Sequence, residues 1–224
     1  MKTIVITSQK GGSGKTTLAA SLSVAAEQAK DGPVVIIDTD PQNTLATWWN
    51  ARDAETPQLA PVSLRELPEK IAALAAAGFA YCFIDTPPAL TEQSRQVLKL
   101  ADLVLIPTRP SPNDLWSLGA TLDLVKQANA PFVFVLTQAK ANARLTLQTV
   151  AALSDYGPVL QAVVHDRVDY AASMTDGRTV LEINPSGAAA LETEALWLLV
   201  RKKAGELAKD SELANTKRRV KAHA

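Results

Sequence analysis

The chain has 224 residues, a formal net charge of zero, 47% hydrophobic and 21% charged residues, and one cysteine, Cys82. That length suits one domain with a full core. The composition excludes a protein coated in basic charge, a disulfide framework and, for want of any apolar run near ~20 residues, a membrane-spanning helix.

The N-terminus does not read as a signal peptide: Met1-Lys2 leads straight into a short strand, predicted over residues 3–7, and then into a glycine-rich loop. A helix is predicted over 15–28, a strand over 34–38 and a helix over 44–52. A helix over 67–77 follows, then a strand over 81–85, where Cys82 reads as a small buried hydrophobe. Next come a helix over 92–100, a strand over 103–107, a helix over 112–127, a strand over 132–137, a helix over 145–156 and a strand over 159–164. A last helix is predicted from Ser186 to about Ala208, started by Asn184-Pro185-Ser186. The strands are nearly continuous in apolar residues, as parallel strands buried on both faces must be. The alternation predicts an α/β fold with a doubly wound, mainly parallel sheet, whose ligands sit at the carboxyl ends of the strands. Residues 1–208 are expected to form one domain and 209–224 a basic, flexible tail without apolar periodicity.

The strongest local signal is Gln9-Lys10-Gly11-Gly12-Ser13-Gly14-Lys15-Thr16-Thr17, placed after a strand and at the start of a helix. Glycines let backbone N–H groups curl around phosphate oxygens, and the helix N-terminus adds its dipole. Gly11, Gly12, Ser13, Gly14, Lys15, Thr16 and Thr17 are therefore candidate contacts to ATP. Lys15 suits the β and γ phosphates, and the Thr16 hydroxyl suits Mg²⁺. Two further strands run out into carboxylates, at Asp38-Thr39-Asp40-Pro41-Gln42 and at Asp85-Thr86-Pro87-Pro88. Such groups hold metal-bound water and orient an attacking water; capping a turn is the competing role for each. Two residues apart on an extended chain, Asp38 and Asp40 are expected to face one side.

The loop departs from the ordinary GxxxxGK[ST] pattern, since Gln9 stands at its first glycine position and Lys10 precedes two glycines. This arrangement resembles the deviant Walker-A ATPases. Together with the 38–42 and 85–88 elements, Ile106–Leu118 (IPTRPSPNDLWSL) and Val180–Ala190 (VLEINPSGAAA), it resembles the ParA family over nearly the whole chain. The resemblance implies ATP hydrolysis, weak without a partner, in a homodimer formed with ATP. It implies that Lys10 reaches the other subunit's phosphates, that Asp40 positions the hydrolytic water, and that Asp38 and Asp85 support Mg²⁺ through water. It also implies that backbone at Asn184 and Pro185 lies against adenine. Catalytic candidates are thus Lys10, Lys15 and Asp40, and metal candidates Thr16, Asp38 and Asp85. With the first strand at residue 3, the DNA-reading helix-turn-helix of longer relatives is not expected. Trp48, Trp49 and Trp116 are expected in core or interface packing.

Charge is polarised: residues 201–221 carry +5 and the rest −5. Arg201, Lys202 and Lys203 are the first candidates for non-specific DNA contacts, with Lys140, Arg144, Arg167 and Arg178 behind them. The family's partners, a ParB-like or adaptor protein and the nucleoid, are implied, in the cytoplasm and with no membrane. The alternatives are a MinD-like membrane-associated ATPase, disfavoured by a C-terminus with little apolar surface, and a metabolic ATP-dependent enzyme, for which no substrate motif is visible. His165 and His223 have no metal-like spacing and carry no assigned role.

Overall fold

The computed structural model describes residues 1–89, 91–140 and 144–222, with side chains as far as Asp210. Seven strands form one all-parallel sheet: β1 (Lys2–Ile6), β2 (Val34–Asp38), β3 (Gln58–Leu59), β4 (Tyr81–Asp85), β5 (Leu103–Thr108), β6 (Phe132–Ala139) and β7 (Val159–His165). Their spatial order is β3-β2-β4-β1-β5-β6-β7. The doubly wound reading therefore holds. Only β3 escaped the sequence analysis, because two residues paired to Val35 and Ile36 leave no apolar run to read.

Alternation along each strand divides the core in two. On β1, Ile4 and Ile6 face one side and Val5 the other; Ile36 and Ile37, and Phe83 and Ile84, divide likewise. The first side is covered by α1 (Lys15–Gln28), α2 (Thr44–Asn50), α8 (Val168–Ser173), α9 (Val180–Ile183) and α10 (Ala188–Ala222). The second is covered by α3 (Leu67–Ala76), α4 (Glu92–Leu98), α6 (Leu118–Gln127) and α7 (Arg144–Ser154). Each fully buried Ile, Leu or Phe contributes roughly 1.5–3 kcal/mol. A sheet with two such faces fixes the positions of its strand ends.

Helix α10 is clamped through one aspartate. Trp197 packs edge-on against Tyr81 at 4.9 Å, its Nε1 donates to Asp31 at 2.8 Å, and Arg201 donates to the other Asp31 oxygen at 2.7 Å. The backbone helix predicted to end near Ala208 continues to Ala222. The helix predicted over 112–127 is interrupted: α5 (Pro112–Trp116) and α6 meet at Ser117, whose hydroxyl donates to the Asp114 carbonyl at 2.9 Å. Helices α8 and α9 and the 3₁₀ turn Met174–Asp176 were not predicted. The start of α9 was legible, since Thr179 and Glu182 form a capping box.

Candidate functional site: a phosphate loop between two sets of strand ends

Parallel pairing brings Asp38, Asp85 and Ile6 into register on neighbouring strands, so the chain leaving β1 passes beside both carboxylates. The loop then turns with Gly12 at φ +70° and Gly14 at φ +92°, a backbone that other residues adopt only with strain. Gly14 is the N-cap of α1, which leaves the helix's first N–H groups directed at the loop interior.

Neighbouring strands brace the loop. Thr137 Oγ1 donates to the Ser13 carbonyl at 2.9 Å and Gln138 Nε2 to the Gly12 carbonyl at 2.7 Å, both from the end of β6. The Gln9 N–H donates to Thr121 Oγ1 on α6 at 3.2 Å. Lys15 is buried and its Nζ donates to the carbonyls of Ser8 at 3.3 Å and Lys10 at 3.5 Å. Burial lowers its pKa, against the opposing fields of Asp85 and Asp40.

The three aspartates differ in what they touch. Asp85 accepts from Thr16 Oγ1 at 2.5 Å through Oδ2, while its Oδ1 is buried with no hydrogen-bond partner. Burial pushes this carboxyl up to about 7, opposed by the Thr16 hydrogen bond and reinforced by Asp38. Asp38 is satisfied by two backbone donors, Asp40 at Oδ1 and Ala46 in the first turn of α2 at Oδ2, both at 3.0 Å. Asp40 is half-buried and accepts the Gln42 N–H at 3.0 Å. Both Asp38 and Asp40 thus shape the turn, and Asp40 lies near enough to Lys15 for its field to act on that ammonium.

These residues fit a magnesium–phosphate group. Asp85 Oδ1 and Ser13 Oγ are buried without partners, and no atom lies within 4 Å of where a Cβ on Gly11 would sit. Among the described residues no group of three His, Cys, Asp or Glu side chains could hold a metal alone. One carboxylate and one hydroxyl, completed by phosphate oxygens, is the arrangement magnesium accepts.

Helix α2, which continues the Asp38–Asp40 turn, is fixed at its far end. Arg52 stacks over Trp48 at 4.7 Å and donates to Glu182 at 2.8 Å and to the Gly177 carbonyl at 2.6 Å. Trp48 is core, as expected, whereas Trp116 is 80% exposed.

On the other flank, a recess adjoins the loop. Gly14 and Thr17 form one wall, and Thr137, Gln138, His165, Asp166, Arg167 and Tyr170 the others. Glu192 of α10 fixes its rim, accepting from Arg167 at 2.6 Å and pairing with His165 Nδ1 at 2.8 Å. The Asn184-Pro185 element is not part of this recess. Asn184 lines a separate one with Val180, Ile183 and Gly187, to which no phosphate-loop residue contributes. Helix α8 lies between the two, with Tyr170 lining the first and Asp169 and Ala172 the second. Apolar periodicity gives no sign that His165, Asp166, Arg167 and Tyr170 line a recess.

The proposed DNA contacts are scattered. Arg201 is bound to Asp31, Arg167 to Glu192 and Arg178 to Asp176, while Lys203 lies 3.8 Å from Glu206. Lys202, Lys140 and Arg144 are exposed. No described helix is long and apolar enough to cross a membrane.

Over residues 4–180 the chain matches the CobQ/CobB/MinD/ParA nucleotide binding domain. It is 28% identical over 199 residues to the maintenance of carboxysome distribution protein A of Halothiobacillus neapolitanus, covering 85% of this chain and 91% of that one. Apo McdA from Cyanothece superposes with a TM-score of 0.74 at 22% identity, over 91% of this chain and 99% of that one. The septum site-determining protein MinD of Pyrococcus horikoshii, complexed with Mg-ADP, superposes with a TM-score of 0.73 at 22% identity, over 93% and 99%. A glycine loop at the end of β1, flanked by aspartates in register on β2 and β4, is thus set in a fold shared with MinD and McdA, and the chain belongs to the CobQ/CobB/MinD/ParA nucleotide-binding family.

Proposed function

We propose that this protein is an ATP-driven positioning switch: it binds Mg·ATP, closes into a homodimer, holds DNA non-specifically and releases it after hydrolysis stimulated by a ParB-like or adaptor partner. The observation that carries the reading is the convergence of Lys15, Thr16, Asp85 and the Asp38–Asp40 turn on one glycine loop. Lys15 and the N–H groups of residues 11–17 would bind the phosphates, Thr16 would hold the metal, and Asp85 and Asp38 would support it through water. Bound there, Mg²⁺ would neutralise charge developing on the transferred phosphoryl group. Asp40 orients the attacking water, with one oxygen kept in place by the Gln42 N–H. Lys10, half-buried beside the exposed Gly11, completes the other subunit's phosphate site, which makes closure depend on ATP. The recess between the loop and β7 takes the base.

Similarity to a protein named for carboxysome distribution supports the positioning of a large body as the output. Two basic surfaces brought together in a dimer gain DNA affinity through bivalency, which links nucleotide state to location on the nucleoid. The test is binding to random-sequence duplex DNA without nucleotide, with ADP and with ATP, at two salt concentrations. Binding that needs ATP and weakens with salt is expected. If DNA is ignored in every state while anionic vesicles are bound with ATP, the MinD-like alternative replaces this reading. Turnover coupled to a soluble metabolite would point to the metabolic one.

A further inference from the structure

The chain leaving β5 passes the phosphate loop at Arg109. One edge of its guanidinium lies against Asp114: Nε donates to Oδ2 and Nη2 to Oδ1, both at 2.9 Å, and the Arg109 N–H adds a 3.3 Å bond to Oδ2. Asp114 is 3% exposed and the Arg109 side chain 28%, so the bidentate pair is anchored on a buried carboxylate while the guanidinium keeps an edge toward solvent. The fork fixes the plane of the guanidinium and leaves its other side in a set direction.

That side faces the loop. Nη1 lies 4.0 Å from where a Cβ on Gly12 would sit, and among the described residues it has no hydrogen-bond partner. It makes no hydrogen bond to the loop, whose Gly12 carbonyl is held instead by Gln138 from β6. A guanidinium aimed by a buried carboxylate at an exposed stretch of phosphate loop, with its donors unused there, matches an anion seated in that loop.

We propose that Arg109 is a phosphate-contacting residue of this chain's nucleotide site, donating from Nη1 to the terminal phosphate of a triphosphate, and that Asp114 is its positioning residue. The proposal rests on the reading of the loop as an ATP site. It adds a cation on the β5 flank of the loop, beside Gly12. Because the contact is to the terminal phosphate, it favours ATP over ADP. Arg109 thereby helps the protein tell its two nucleotide states apart.

The experiment is calorimetric titration of the full chain with a non-hydrolysable ATP analogue and with ADP, each with Mg²⁺. R109Q is expected to weaken the triphosphate about tenfold and ADP less than about twofold, the loss of one charge-assisted bond. D114N, which frees the guanidinium, is expected to lower the ratio of the two affinities in the same direction by a smaller factor. R109K keeps the charge without the fork and is expected to fall between R109Q and the parent; it decides the matter if R109Q does not fold. Equal weakening of both nucleotides, or a lowered melting temperature with an unchanged affinity ratio, would show that the pair only braces the 109–114 turn and would overturn the proposal. A parent protein that binds neither nucleotide would instead overturn the ATP reading on which it stands.

Discussion

The carboxyl ends of β2 and β4 lie side by side with Asp38 opposite Asp85, and the two side chains meet opposite surroundings. Asp38 is half-exposed and both its oxygens accept backbone N–H bonds, one of them from the first turn of α2. Asp85 is 1% exposed, one oxygen takes the Thr16 hydroxyl, and the other takes nothing from the protein. The sheet alone accounts for the first, which caps a turn and starts a helix. It does not account for the second: an unpaired buried carboxyl costs stability, and a bound cation would repay it. Neighbouring positions of identical residue type can thus differ in whether the protein itself satisfies their oxygens.

The largest effect that would sharpen this contrast belongs to the third aspartate. Asp40→Ala is expected to cut ATP turnover by about 10²–10³-fold, while ATP affinity stays within about threefold, because the proposed function has this residue orient water rather than phosphate. Steady-state phosphate release beside equilibrium titration checks it; equal loss in both would place Asp40 in binding.

Asp85→Asn carries the next effect, and it has two signs. Mg²⁺-dependent ATP affinity is expected to fall by about 100-fold, as the carboxylate proposed to support the metal loses its charge. In chelator and without nucleotide, the variant is expected to be more stable than the parent. The folded-state pKa of Asp85, about 7, lies above the ordinary 3.8, so the native state binds the proton more tightly than the unfolded one. Parent stability therefore falls as pH rises from about 4 to 7, and the asparagine removes that fall. A gain on the order of 2–4 kcal/mol at pH 8, shrinking to nothing below pH 4, is expected in urea titrations. A parent curve flat between pH 4 and 8 would remove the distinction between the two strand ends.

Asp38→Ala is expected to cost about 1 kcal/mol at neutral pH, since the Ala46 and Asp40 N–H groups lose their acceptor. Its stability change should thus oppose that of Asp85→Asn, and thermal melts of the two variants side by side give the comparison directly.

Smallest is Arg201→Ala. Its partner Asp31 keeps the Trp197 indole bond, and Arg201 is about two-fifths exposed, so a loss below about 1 kcal/mol is expected. DNA affinity should change less than with Lys202→Ala, whose ammonium is exposed. The reverse order would return Arg201 to the DNA surface.

Much of this molecule was legible one residue at a time. Nearly continuous apolar runs dictate six of the seven described strands: β1, β2, β4, β5 and β6 are buried on both faces and leave little room for polar residues, while β7 is half-buried with Gln161 exposed. The spacing from Gly11 to Thr16 dictates the loop, because backbone curvature around phosphate needs glycine at set positions and a helix start directly after it. The end of α10 was set too short, since its last turns lack the apolar stripe that a sequence reading looks for. Tertiary structure alone decided the contrast between Asp38 and Asp85, which depends on which backbone donors and covering layers reach each strand end. It also decided that His165, Asp166, Arg167 and Tyr170 line the recess beside the loop while Asn184 lines another, and that Arg109, paired with Asp114, lies beside Gly12. Such facts depend on the direction of a side chain after packing, and neither residue type nor spacing encodes direction.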